Sequence, residues 1–249
     1  MTGEAASRAY LDLPGIQQRL VEEIQKVGKP MVVVLMNGRP LAITWINDHV
    51  PAILETWFLG HQTGHAVADV LFGDYNPSGK LPITFPRSVG QVPIFYSMKS
   101  TGRPMDPNNK YTSKYLDESN DPLYPFGYGI SYTTFSYESP QLSSATITSK
   151  DTLIVSTRVT NTGSREGTEV VQFYVQDEVG SVTRPLKELK GFQRISLKPG
   201  ESREVIFRLS QVDLSFFRKD MTFGSEPGKF NVFVGSNSRD VKRSTFELK

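Results

Sequence analysis

The sequence holds 249 residues, 38% of them hydrophobic and none of them cysteine. That is enough apolar material for one large domain or two ordinary ones, and it excludes a disulfide framework, a thiolate nucleophile and a cysteine-ligated zinc. With 28 Lys and Arg against 26 Asp and Glu the formal charge is +2, and no basic block offers a footprint for nucleic acid or an anionic membrane surface.

Ile16, Leu20, Val21, Ile24 and Val27 recur at helical spacing behind Pro14 and Gly15, and Gly28 and Pro30 stop that helix. The run MVVVLM, Met31 to Met36, follows at once. It is the longest apolar run and far too short to span a bilayer; apolar and β-branched on both faces, it predicts a strand covered by helices on each side, as in a parallel sheet. The segment ILETWFLGHQTGHAVADVLFGDYNPSGKLPITFP, residues 53 to 86, reads as strand, turn, helix, loop and strand. Its strands fall at Ala52 to Trp57 and near Leu81 to Phe85, around an amphipathic helix at Thr63 to Phe72. This alternation predicts an α/β layer with a mostly parallel sheet.

From Gln91 to Tyr124 the periodicity disappears into Ser, Pro, Asn, Lys and Tyr. A loop of that length is often functional, and Tyr96, Tyr111, Tyr115, Tyr124 and Tyr128 are read either as the rim of a site or as packing of the loop itself. After Phe135 short alternating runs appear at Leu153 to Val159, Val170 to Gln176, Lys187 to Ile195, Glu204 to Leu209 and Lys229 to Val234, separated by turn signals. They predict an all-β sandwich of immunoglobulin or fibronectin type III kind. The predicted organisation is 1–90 α/β, 91–135 irregular loop and linker, and 136–249 sandwich.

Several local patterns carry less than they suggest. GDYNPSGK is not a phosphate loop, because its glycine spacing is one too long and Leu81 stands where Ser or Thr is required. GYG at 127–129 lacks the third glycine of a dinucleotide fingerprint. His61 and His65 lie four apart, but the QTG between them lacks the Glu of a zincin, so no metal is implied. Trp57 stands at the carboxyl end of a predicted strand, where open α/β sheets keep ligands, and its face suits a pyranose; the other reading is a core Trp under the helix at 63–72. No GxSxG elbow is present, which leaves an independent esterase using His49, His61 or His65 as a weaker alternative.

The longer markers are KPMVVVLMNGRPLA, the AILETWF to SVGQVP segment, NKYTSKYLDE, LYPFGYGISYTTF, VTNTGSREGTEVVQFYVQD, RPLKELKGFQRISLKPGE and EPGKFNVFVG. In that order they resemble the carboxyl-terminal part of glycoside hydrolase family 3, close to the bacterial periplasmic β-glucosidases, over essentially the whole chain. The family implies a (β/α)8 barrel, then an α/β sandwich, then a fibronectin type III domain. Residues 1–90 resemble the later part of the second and residues 136–249 the third.

The resemblance implies retaining, exo-acting hydrolysis of β-D-glucosides, with a β-glucoside or oligosaccharide as substrate and no metal or other cofactor. It implies a periplasmic location, although this chain shows no signal peptide. The family's nucleophile is an Asp in a Ser-Asp-Trp-like motif at the end of a barrel strand, and no such motif stands in these residues. The nucleophile is therefore expected on other sequence. The family takes its acid/base from a loop of the α/β domain, and GEAASRAYLDLPG, residues 3 to 15, resembles that loop. Glu4 becomes the acid/base candidate, with Arg8 supporting it and Trp57 as a wall of the sugar pocket. A retaining pair of carboxyl groups stands about 5 Å apart, and Glu4 needs burial or the nucleophile's charge to hold its proton. The other reading of Glu4 is a solvated terminal carboxylate. The family commonly has Glu at the position of Gln62 and Asn at that of His65, so this turn keeps hydrogen bonding and loses a charge. A start at Met1, just before the loop, predicts an incomplete reading frame or a designed cut. An uncovered sheet edge then predicts pairing with the missing barrel-bearing part or self-association. The alternative to a catalytic portion is a non-catalytic carbohydrate-binding or structural module.

Overall fold

The computed structural model describes residues 4–249; Met1 and Gly3, named above, lie outside them. Two compact units divide the chain, one of Met1–Tyr75, Ile83–Ile94 and Tyr115–Tyr124, the other of Asn76–Pro82, Phe95–Lys114 and Pro125–Lys249.

The first unit runs α1 (Gln17–Gln25), β1 (Val32–Leu35), α2 (Thr44–His49), β2 (Ala52–Glu55) and α3 (Thr63–Phe72). β1 and β2 pair in parallel, Val32 opposite Ala52 and Leu35 opposite Glu55. Leu35, Leu41, Ile43, Ile46, Val50 and Leu123 form the core, with Leu13, Val21, Val33, Trp45 and Ile53 packed against it. α3 stops at Gly73, whose φ of 85° is the left-handed close that glycine supplies. Neither α1 nor α3 has a buried residue. Among the apolar residues at helical spacing here, Val21 packs on the core, while Leu20 and Ile24 of α1 and the flanking Ile16 and Val27 lie exposed.

The third strand expected near Leu81 to Phe85 is not formed. Pro82 and Pro86 remove the donors that a ladder needs, and the stretch bonds locally to residues 123–128 instead of extending the parallel pair. Leu81 and Tyr128, and Phe85 and Tyr124, are joined by N–H to carbonyl bonds of 2.8 and 2.9 Å, the second pair as an isolated bridge.

The second unit contains β3 (Phe135–Tyr137), β4 (Gln141–Leu142), β5 (Thr146–Ile147), β6 (Leu153–Asn161), β7 (Gly167–Asp177), β8 (Glu188–Leu197), β9 (Ser202–Leu209), α4 (Gln211–Leu214), β10 (Phe216–Phe217), β11 (Phe223–Gly224), β12 (Gly228–Gly235) and β13 (Val241–Leu248). One sheet has the order β5-β13-β12-β7-β8, and in the other β6 pairs with β3, β4 and β9. Alternate residues of β6 point into the core, as a half-covered strand requires. There Phe173 stacks on Phe207 at 4.8 Å and Phe230 on Phe246 at 5.3 Å. The expected class, α/β followed by an all-β sandwich, is the class observed, and the five predicted runs coincide with β6, β7, β8, β9 and β12.

Two polar devices fix this unit. Asn161, fully buried, donates from Nδ2 to the carbonyls of Arg165 and Leu197 at 2.7 and 2.9 Å. Its Oδ1 accepts from Thr133 Oγ1 at 2.7 Å and Gly163 N–H at 3.0 Å, so the turn after β6 closes on one satisfied amide. Lys80, from the discounted GDYNPSGK stretch, pairs with Glu169 of β7 at 2.9 Å with side-chain exposures of 12% and 6%, and also donates to Gly129 O at 3.0 Å. Gly129 has no substitute there, since a Cβ would lie 2.1 Å from Gly79 O.

Removing one partner of a buried pair costs about 3–5 kcal/mol, whereas replacing both by apolar groups is close to neutral. Denaturant titration of Glu169→Ala is expected to show a loss of that order, and Lys80→Met with Glu169→Leu to recover most of it. Equal losses in both variants would mean that Lys80 gains nothing from Glu169.

Candidate functional site

Parallel strands bring their carboxyl ends to one edge of a sheet, and that edge is where α/β folds gather ligands. Here the edge carries Asn37, Gly38 and Arg39 after β1, and Thr56 and Trp57 after β2. Thr56, buried, ties the two strand ends by donating from N–H and Oγ1 to Leu35 O at 3.0 and 2.7 Å. Trp57 follows with φ 50°, a left-handed conformation that costs a bulky residue about 1–3 kcal/mol. Its N–H donates to Glu55 Oε1 at 3.0 Å. The half-buried indole rests on Phe85 with ring centres 6.0 Å apart, and Phe85, fully buried, meets Tyr124 edge-on at 6.0 Å.

Glu55 is the unusual group. Burial raises its carboxyl above the ordinary 4.5, against smaller lowering by the bond from Trp57 N–H and by the nearby Asn37 side chain. Its Oε2 and Asn37 Oδ1 are both buried with no hydrogen-bond partner among the described residues. Asn37 Nδ2 is committed to Arg39 O at 2.7 Å. A carboxylic acid proton, which burial favours, turns one of those stranded acceptors into a donor. Nothing in the motif reading singled out Glu55, although a lone acidic residue within AILETW, inside an otherwise apolar strand, was the available signal.

The loop of residues 4–15 is tied to the same edge. Arg39 Nη2 donates to Tyr10 O at 2.9 Å and Ala42 N–H to Leu11 O at 2.8 Å. Arg8 is committed within the loop, donating to Asp12 O at 2.7 Å and pairing with Asp12 Oδ1 at 3.3 Å. Ala5, next to Glu4, has φ 57°. Glu4 itself is exposed, so no apolar wall stands around it among the described residues. The fold thus brings the Glu4 loop and Trp57 to one end of the parallel pair, and it gives Arg8 a partner within its own loop.

Most tyrosines of the irregular segment are engaged. Tyr96 stacks on Phe126 at 4.4 Å, Tyr115 donates to Gly90 O at 3.0 Å, and Tyr124 donates to Asn47 Oδ1 at 2.7 Å. Gln91, buried, organises the turn by donating to Ser119 O and Asp121 O at 2.7 and 3.2 Å and accepting from Arg87 N–H at 2.6 Å. Tyr111 is exposed at an open depression of about 580 Å³ with Arg103, Asp106 and Asn109. His61 and His65 are exposed. Among the described residues no group of three or more His, Cys, Asp or Glu is placed to hold a metal, and no helix is long and apolar enough to cross a membrane.

Residues 1–132 match the Glycosyl hydrolase family 3 C-terminal domain, and residues 169–238 the Fibronectin type III-like domain. A Periplasmic beta-glucosidase of Salmonella typhimurium is 54% identical over all of this chain and 33% of its own length. A Beta-xylosidase of Formosa agariphila is 49% identical over 99% of this chain and 34% of its own. The crystal structure of a beta-glucosidase from Listeria innocua in complex with glucose superposes with a TM-score of 0.94 at 42% identity, over 99% of this chain and 34% of that one. The chain spans about a third of the length of the curated relatives it matches.

A carboxyl group raised by burial stabilises the fold below its ordinary value, and that contribution is lost as pH rises through the raised one. As pH rises from the ordinary carboxyl range toward neutrality, the unfolding midpoint of Glu55→Gln is therefore expected to rise relative to the parent. Parallel pH profiles for the two proteins would show that Glu55 titrates as a solvated carboxyl.

Proposed function

The chain belongs to glycosyl hydrolase family 3, and we propose that it acts as the carboxyl-terminal portion of a retaining β-glucosidase, supplying the acid/base loop and part of the sugar pocket. The observation that carries this reading is the tethering of the Glu4 loop to the ligand end of the parallel pair through Arg39 and Ala42. The nucleophile is an Asp on polypeptide outside these residues, as the matched share of the relatives supports.

In the proposed reaction the Asp carboxylate attacks the anomeric carbon as its bond to the leaving oxygen breaks, and Glu4 delivers a proton to that oxygen. The glycosyl ester then opens to water, whose proton returns to Glu4. Trp57 offers its indole as a wall of the pocket. Arg8 acts on this reading by bracing the loop through Asp12. The substrate is a β-D-glucoside or short oligosaccharide, and the compartment is the periplasm, a place supported by the name of the Salmonella relative. The partner that covers the exposed stripe of Ile16, Leu20, Ile24 and Val27 is the barrel-bearing polypeptide that precedes the matched segment in the relatives. Self-association through the same stripe is the competing occupant.

The test is a fusion in which this chain replaces the matching third of the Salmonella protein. The fusion is expected to release glucose from aryl β-glucosides, with aryl β-xylosides in parallel, and Glu4→Gln to lower turnover by about 100-fold or more. Full activity in the Glu4→Gln fusion sinks the assignment of the acid/base. Light scattering addresses the partner. A chain that stays monomeric and binds the preceding two thirds of the Salmonella protein agrees with the proposal; a stable homodimer that refuses that partner does not.

A further inference from the structure

We propose that Arg39 is a positioning residue for the acid/base loop, an inference that rests on the reading of Glu4 above. Arg39 lies just past β1, on a turn held from several sides. Asn37 Nδ2 donates to the Arg39 carbonyl at 2.7 Å, Pro40 restricts the next backbone angle, and the Phe58 ring lies over Gly38, where a Cβ would come within 2.8 Å of it.

From this fixed turn the guanidinium of half-buried Arg39 reaches across 29 residues of sequence to Tyr10 O, at 2.9 Å, in a solvent-exposed bond. It donates to the loop's backbone from outside the loop, beside the main-chain bonds from Ala42 N–H to Leu11 O and from Gln17 N–H to Pro14 O. The Arg39 and Ala42 contacts fall on adjacent residues and have different consequences. Ala42 with Leu13, which packs on the core, fixes where the loop leaves the sheet. Arg39 fixes the direction in which residues 4–9 project, and the clip from Arg8 to Asp12 makes residues 8–12 move as one body about that point. Glu4 stands six residues before Tyr10, so a rotation at Tyr10 shifts it. A misplacement of about 1 Å at a reacting group costs as much as 100-fold in rate, so a bond remote from the chemistry controls the proton transfer. Lys is a poor replacement because it lacks the planar fork and carries a more strongly hydrated charge.

Arg39→Met and Arg39→Lys are examined in the chain and in the fusion. In the chain, amide exchange over residues 5–12 is expected to quicken by about tenfold in Arg39→Met with other segments unaltered; unchanged exchange there overturns the proposal. In the fusion the readout is leaving-group dependence, because a phenol must be protonated as it departs and a dinitrophenolate needs little help. Arg39→Met is expected to lower turnover of phenyl β-glucoside by about tenfold or more and of dinitrophenyl β-glucoside by about twofold or less, with Arg39→Lys between it and the parent. Equal losses on both substrates, or none on either, overturn the positioning role while the unsubstituted fusion remains active. An inactive unsubstituted fusion sinks the hydrolase reading, and the role of Arg39 with it. Should Arg39→Met fail to fold, Arg39→Lys is read on the same two substrates by the same unequal loss.

Discussion

Parallel pairing of β1 with β2 is the constraint on which the candidate site depends. Strands running the same way end at the same edge, so whatever follows Leu35 and whatever follows Glu55 must meet there. The bonds from Thr56 to Leu35 O lock that meeting, Trp57 emerges from it in a left-handed conformation, and Arg39 turns back from it to take hold of Tyr10. Without the parallel register, the loop bearing Glu4 and the indole of Trp57 would have no reason to share one end of the unit. The same pairing has a cost. Parallel sheets are ordinarily covered on both faces, and here an apolar stripe of α1 remains exposed.

The second unit has different physics. Its sandwich encloses a continuous core of Val, Leu, Ile and Phe from both sheets, and its buried polar groups at Asn161 and Lys80 are paired within it. A stranded acceptor there is Asp177 Oδ2, buried at the end of β7. Burial raises the Asp177 carboxyl, the Val179 N–H and then Arg184 work against the rise, and the nearby Glu226 and Glu188 add to it.

Periodicity made most of this architecture legible. The helix at Thr63 to Phe72 and the strands within MVVVLM and AILETW stand where apolar spacing placed them, and the five sandwich strands follow their alternation. The third parallel strand was misread because the apolar pattern of LPITF outweighed the two prolines around it, and α2 was missed because TWINDH is too short and too polar for a helical period to show. At the site, motif reading reached the loop of Glu4, Arg8 and Trp57. It did not reach Arg39, Glu55 or Asn37, whose meaning comes from bonds to residues far away in sequence. A donor's partner 29 residues off has no periodic signature, and an orphaned acceptor exists only once a chain has closed around it.

The central claim is that this chain carries an acid/base carboxyl to a nucleophile held on other polypeptide. The most direct measurement is the separation of the two carboxyl groups in a crystal structure of the fusion with glucose bound. The account predicts that Glu4 stands about 5 Å from an Asp of the barrel, as a retaining pair requires. A Glu4 side chain turned to solvent, with another carboxyl at that distance from the Asp, would contradict it.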